Sequence, residues 1–293
     1  MSAPGRRGHP AGRVVFLTVM FAFIGLPLAM VVLESFAGSA ATPWPPRAPS
    51  LSWYQTAFAY GPFWSGLVLS VEIAAAATVL SLVLGTMAAY AIARHQFPGR
   101  RLLQTLFIMP LSVPRIVIGF SLFVLYVTLV PDFYGSDTSV VLAHCLLLLP
   151  FSVTIVGATL ANLGPTAEEA ARDLGCTRFG AFWKVTMPRL RIALTAAAVF
   201  AFITSFDDVD TTIFLLAPQR STLPLQMFFY VEQSDSPTVA ALSTLLIAGS
   251  LIIVVIAALL LRRGGLPAAV LARPTAAMPP RHQEEFTAAL PRP

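Results

Sequence analysis

Asp207, Asp208 and Asp210 stand almost side by side in a stretch otherwise rich in Phe, Ala and Ile. On a continuous helix Asp207 would share a face with Thr204, Asp210 and Thr211, with Asp208, Ser205 and Thr212 beside it. An ionisable group at the centre of a bilayer costs about 2.5–3.5 kcal/mol on insertion scales, so such a stripe must face a water-filled path or a partner helix. Three chemistries fit carboxylates placed this way. They can attract a cationic solute along a path, hold helices together through hydrogen bonds, or chelate Mg²⁺ beside a diphosphate. The last lacks support, because position 211 is Thr rather than the final Asp of DDxxD and no basic residue nearby could hold a phosphate. Arg115, which follows Pro114 in another apolar stretch, can neutralise Asp207 or Asp208 or meet a substrate carboxylate. His144, alone among apolar residues, reads as a satisfied interior histidine. Glu34 and Glu72 fall nearer the expected membrane edges and read as solvated or interfacial. The chain's one lysine, Lys184, lies between Trp183 and Val185, so there is no Gly-Lys-Ser/Thr phosphate cradle, and any ATPase must be another polypeptide.

The elements that carry these residues are set by hydropathy. Of 293 residues 56% are apolar and 11% charged, about half the charged share of a soluble domain. The mean hydropathy is +0.76, and the apolar residues come in blocks rather than stripes. A span needs roughly 20 apolar residues. Six stretches qualify: Val14–Leu33, Ile73–Ala93 (starting nearer Phe63), Leu102–Val130, Ser139–Leu163, Ile192–Ala217 and Val239–Leu261. The first could be a secretory signal peptide, but its apolar run is long and contains Pro27, so it reads as an uncleaved anchor. Cys145 in an apolar stretch and Cys176 in a basic loop do not suggest a disulfide.

Basic residues fall on alternate connections. Sixteen, from Arg6, Arg7 and Arg13 through Arg94, Arg100, Arg101 and the segment Arg172–Arg191 to the tail beyond Arg262, lie on one side; only Arg47 and Arg220 lie on the other. The positive-inside rule then predicts that both termini are cytoplasmic. The external connection around Pro43, Pro45, Pro46 and Pro49 reads as extended. The organisation expected is a cytoplasmic segment 1–13, a six-helix unit 14–263, and a disordered cytoplasmic tail 264–293 rich in Pro, Ala and Arg.

The connection between the fourth and fifth spans, Gly164–Arg191, is too long and too patterned for a simple turn. Gly164-Pro165 breaks the preceding helix, and Thr166 with Glu169 has the spacing of a capping box. A helix through Leu174 would end with Gly175 at C′. A second short helix carrying Phe179, Phe182 and Trp183 would run toward Pro188, which suits the opening of the next span. The bland reading of this insert is an amphipathic connector resting on lipid.

Glu169-Ala170-Ala171, three residues, Gly175, nine residues, then Val185-Thr186-Met187-Pro188 resembles the EAA motif of permease subunits of binding-protein-dependent ABC importers. Val185 and Met187 stand where that motif usually has Ile and Leu. The resemblance runs from about Val14 to Leu261 and is similar to the spermidine/putrescine permease branch at Glu168–Gly175, Ser205–Val209 and Thr222–Leu225. Arg115 departs from that branch, which often has an acidic residue after the proline. The resemblance implies an all-α membrane protein of the type I ABC importer permease fold, with six transmembrane helices and a cytoplasmic coupling helix between the fourth and fifth. It implies ATPase-coupling roles for Glu168, Glu169, Ala170, Ala171, Gly175 and Pro188, and a substrate path at Asp207, Asp208, Asp210 and Arg115. The implied solute is a small organic molecule, a polyamine or related amine. The implied partners are an ATP-binding subunit dimer, a second homologous permease, an external solute-binding protein and the bilayer of a bacterial inner membrane, with no nucleic acid. No catalysis and no cofactor is expected on this chain; ATP and Mg²⁺ would be used by the ATPase. The competing classes are an intramembrane enzyme and a secondary transporter built on the acidic cluster. Against the second stand the absence of an inverted repeat and of a pair of broken helices in the sequence reading.

Overall fold

The computed structural model describes residues 10–39, 49–217, 219–234 and 236–263. Arg6, Arg7, Arg47, the prolines at 43, 45 and 46, and the expected tail 264–293 lie outside the described residues. Apart from one isolated bridge between Gly135 and Leu216, the regular structure among the described residues is helical.

Three helices form the centre: α3 (Gly61–Arg94), α6 (Asp137–Leu163) and α9 (Met187–Phe206), with α1 (Pro10–Glu34), α2 (Ser52–Ala59), α4 (Arg100–Ile108), α5 (Arg115–Leu129), α7 (Thr166–Asp173) and α8 (Arg178–Ala181) preceding α9, and α10 (Thr212–Leu215), α11 (Leu223–Gln233) and α12 (Thr238–Arg263) following it. Lipid tails are as apolar as leucine, so spans associate through close packing rather than through burial from water. The sequence supplies this with small side chains: Ser70, Ala74, Ala77, Ser81, Gly85 and Ala89 recur at helical spacing on α3 and are all buried. At Gly85 an added Cβ would lie 2.5 Å from Ser152 Cβ on α6, so this crossing admits no larger residue without movement. α1 and α12 pack on one another at the periphery, and the apolar window of α1 has no residue buried within this chain.

Among the described residues five helices are long and apolar enough to cross a membrane, and a sixth span is completed if one bent pair is counted as one. That pair is the expected third span. It is not one helix: Arg100–Ser112 and Arg115–Leu129 meet at 106°. Val113 is extended (φ −105, ψ 132), as a residue before proline prefers, and Pro114 has no N–H to continue the ladder. The fifth span also differs. It begins earlier than Ile192, running from Arg178 to Phe206, and stops before the acidic cluster rather than enclosing it. Asp207 is its C-cap and helix resumes only at Thr212. Ser, Thr and Asp side chains compete for backbone groups, and carboxylates oppose the negative end of the helix dipole, so this run ends a helix. The facial stripe expected of a continuous helix therefore does not form. One span is thus broken, and the fifth ends where a continuous helix was expected to run on. The capping box expected at the start of α7 does not form. Pro165, not Thr166, is the N-cap; its carbonyl accepts from Glu168 N and Glu169 N at 2.9 and 3.0 Å, and no side chain caps the helix.

Candidate functional site

The break in the third span faces the end of the fifth. Asp208 is 3% exposed, and its carboxylate has Arg115 Nη1 at 3.6 Å and His144 Nε2 at 3.3 Å. Neither carboxylate oxygen receives a well-directed hydrogen bond, so the pairing is electrostatic. Gly119 on α5 lets this helix approach the gap between α9 and α10, since an added Cβ would lie 2.8 Å from Thr211 Cα.

His144, 1% exposed, bridges the same gap. Thr212 donates its hydroxyl proton to the Asp208 carbonyl at 2.7 Å, so toward His144 Nε2, 3.0 Å away, it can only accept. This network assigns the ring proton to Nε2. Nδ1 is hydrogen-bonded to the Ser205 hydroxyl at 2.7 Å. The imidazole thereby ties α6 to both sides of the gap between α9 and α10, the satisfied interior histidine that the sequence suggested.

Asp207 has a different setting. It is exposed and lines a cavity of about 800 Å³ between α3, α9, α11 and α12, with Phe202, Phe206, Met227 and Phe228. Asp210 is exposed as well, its carbonyl turned toward Gly119. Of the four residues expected on a path, the structure brings Asp208 and Arg115 into contact and leaves Asp207 and Asp210 open. Among the described residues no group of three His, Cys, Asp or Glu side chains is gathered as a metal would require. Glu34 ends α1, and Glu72 is exposed within α3. Cys145 and Cys176 are both free thiols.

At the other end lies α7. Its C-terminus is a Schellman turn: Cys176 N donates to Ala171 O at 3.0 Å, Gly175 N to Arg172 O at 2.9 Å, and Gly175 takes φ +92. The turn presents Leu174 at 88% exposure, and Phe179 on α8 is 73% exposed. Glu169, Ala170, Gly175 and Pro188 are exposed, and Ala171 is half-buried. α8 begins on a Thr177 cap, whose hydroxyl accepts from Gly180 N at 3.0 Å. The chain then passes through a wider turn, Phe182–Thr186, directly into α9, with Pro188 in its first turn. Such a bulge accommodates a proline within a nearly continuous helix.

Glu168 is turned away from the other residues of its motif. It is 7% exposed and accepts from Tyr90 OH at 2.9 Å, Arg94 Nε at 3.0 Å and Thr186 Oγ1 at 2.6 Å. Burial raises its carboxyl pKa, but the hydrogen bonds from Thr186, Tyr90 and Arg94 and the charge of Arg94 outweigh burial and hold it below the ordinary glutamate value. The sequence reading missed Tyr90, Arg94 and Thr186. The available signal was weak: a basic residue ending a long apolar helix, which the positive-inside rule already explained.

Residues 81–264 match the family described as binding-protein-dependent transport system inner membrane component. The chain is 31% identical over 238 residues to the putrescine transport system permease protein PotI of Escherichia coli K12, covering 79% of this chain and 84% of that one. It is 28% identical to the spermidine/putrescine transport system permease protein PotC of the same strain, covering 78% and 86%. In fold it is similar to a chain of a bacterial ABC transporter involved in import of the acidic polysaccharide alginate, with a TM-score of 0.68, 18% identity, and coverage of 90% and 99%.

Proposed function

The chain belongs to the binding-protein-dependent transport system inner membrane components, as a permease subunit of an ABC importer, and from that premise we propose that it carries an organic amine, a polyamine or a related cation. It is a component of a transporter and a multi-pass protein of the inner membrane. Two ATPase subunits, a second homologous permease and an external solute-binding protein complete the assembly. ATP and Mg²⁺ are used on the ATPase, and no cofactor sits on this chain. Both termini are cytoplasmic, which the sixteen-to-two basic asymmetry supports. In that orientation Gly164–Arg191 is cytoplasmic, and the apolar tip at Leu174 and Phe179 with Glu169, Ala170 and Ala171 seats against the ATPase.

One observation supports the amine: Asp207 is an exposed carboxylate at the end of a span, lining a cavity whose other walls are chiefly apolar and aromatic. A carboxylate does not face acyl chains without cost, so the cavity is one that water or solute enters. Ammonium groups meet both the carboxylate and the phenyl faces favourably. Asp208, held by Arg115 and His144, positions the break instead of meeting solute. The test is uptake into proteoliposomes bearing the full complex, using the binding protein purified with the solute it carries from cells. An amine should be found on that protein. Asp207→Asn should assemble normally and transport it poorly, and full amine uptake by the Asp207→Asn, Asp208→Asn double variant would refute the path reading. Orientation is tested separately: native Cys176 should react with an impermeant maleimide only after permeabilisation.

A further inference from the structure

α7 has eight residues, too few to hold helical form or position unaided. Glycines in the left-handed φ region flank it, Gly164 at φ +62 and Gly175 at φ +92, and an added Cβ at either would touch nothing within 4 Å. Both flanking residues are therefore points where the backbone turns without steric support from a side chain. Among its own residues only Glu168 is buried. Apolar packing does not fasten α7 to the molecule; a carboxylate does.

The fastening is shared by four elements. Glu168 receives hydrogen bonds from Tyr90 and Arg94 of α3 and from Thr186, just before α9. Arg94, its side chain only 9% exposed, donates Nη1 to Leu160 O at 3.1 Å and Nη2 to Gly164 O at 2.7 Å. Those carbonyls lie at the end of α6, where backbone acceptors lack partners and the dipole favours a cation. One guanidinium thus joins the ends of α3 and α6 to the buried face of α7, and Glu168 extends the joint to α9. A lysine could not make this set, because its point charge has no fork of fixed donors.

We infer that the Arg94–Glu168 pair is the joint through which motion of α7 reaches the membrane helices: it makes α7 one rigid piece with the ends of α3, α6 and α9. Arg94 and Glu168 are positioning residues, touching neither nucleotide nor solute. Without the pair, α7 stays tethered through two glycines and swivels when the ATPase closes. The inference rests on the proposed seating of this loop on the ATPase and adds what lies behind the seat.

The test uses the complete complex in nanodiscs, with the binding protein purified together with its solute. Glu168→Gln keeps the size of the side chain and removes its charge; Arg94→Lys keeps the charge and removes the fork. Both should retain the ATPase through purification and hydrolyse ATP at the basal rate. Stimulation by loaded binding protein should fall by about 5- to 150-fold, the range of ordinary coupling energies. In a Cys145→Ser, Cys176→Ser background, an Arg94→Cys, Glu168→Cys pair should be uncoupled in the same way, and joining it with a short bifunctional thiol reagent should restore stimulation. A joint that served folding alone would not give an assembled, uncoupled complex rescued by a covalent tie. Normal stimulation in either single variant, or no recovery in the crosslinked pair, overturns the inference. If a single variant does not accumulate, the crosslinked pair decides. Leu174→Asp tests the seat separately: normal ATPase retention and stimulation there would refute the seating of the loop, whatever the joint variants do.

Discussion

The Arg115 guanidinium comes within 3.6 Å of the Asp208 carboxylate, where the break in the third span meets the end of the fifth. Each charge is poorly placed on its own helix. Arg115 is the first residue of α5, at the positive end of that dipole, and Asp208 lies just beyond the negative end of α9. Facing each other, they make two unfavourable helix ends mutually tolerable.

The first prediction follows from the unequal burial of this pair. Arg115→Ala leaves the buried Asp208 without its cation, while water reaches Arg115, whose side chain is 41% exposed. The expected loss is about 1–3 kcal/mol, less than for a fully buried pair. It should be seen as a lower melting temperature and less assembled complex, and a second change, Asp208→Asn, should restore both. Unchanged melting in the single variant would mean the pair contributes nothing to stability.

A second prediction tests the central crossing. Gly85→Ala places a methyl group 2.5 Å from Ser152 Cβ, so α3 and α6 must separate, at a cost of about 1–3 kcal/mol. Gly157→Ala on α6, whose nearest neighbour would be Ala89 Cβ at 3.9 Å, adds only ordinary contact and should be nearly neutral. Thermal melting of the two purified variants side by side checks the contrast. Equal melting would show that the crossing relaxes freely.

Hydropathy made the spans legible, because length and charge exclusion alone select them, and the motif from Glu169 to Pro188 located α7 and its glycine turn. The break and the early stop are harder to see. Pro114 is visible, yet an apolar run on both sides of it reads as one span, and the 106° bend appears only in the folded chain. In the fifth span the acidic run has the spacing of a stripe on a helix, but the same residues are also a stop signal. The direction of Glu168 could not be read at all. Glu168 and Glu169 are adjacent and chemically alike, and what separates them is Arg94, contributed from 74 residues away.

A pH prediction follows from that burial. The folded-state pKa of Glu168 is held below its unfolded value, so its stabilisation is fully present above the unfolded pKa, about 4.3 for glutamate, and is lost as pH falls through the folded pKa. Other carboxylates titrate in the same window, so the informative quantity is a difference. Wild type should lose more melting temperature than Glu168→Gln between neutral pH and the acid side of that window. Parallel curves would show that the carboxylate gains nothing from Arg94, Tyr90 and Thr186.

The last prediction concerns the turn that presents Leu174. Gly175 has φ +92 and open space where a Cβ would stand, so substitution there strains the backbone without a steric clash. Side-chain size should therefore matter less than tolerance of positive φ. Asparagine visits that region readily, alanine pays about 1–2 kcal/mol, and a β-branched valine more. Binding-protein-stimulated ATP hydrolysis should accordingly fall in the order Gly175, Asn, Ala, Val, with the permease inserted in every case. The strain is relieved if Gly175 N and Cys176 N release Arg172 O and Ala171 O, and this turns Leu174 away from its outward position. Normal stimulated hydrolysis in Gly175→Val would establish that the turn only connects α7 to α8 and that the position of Leu174 does not depend on it.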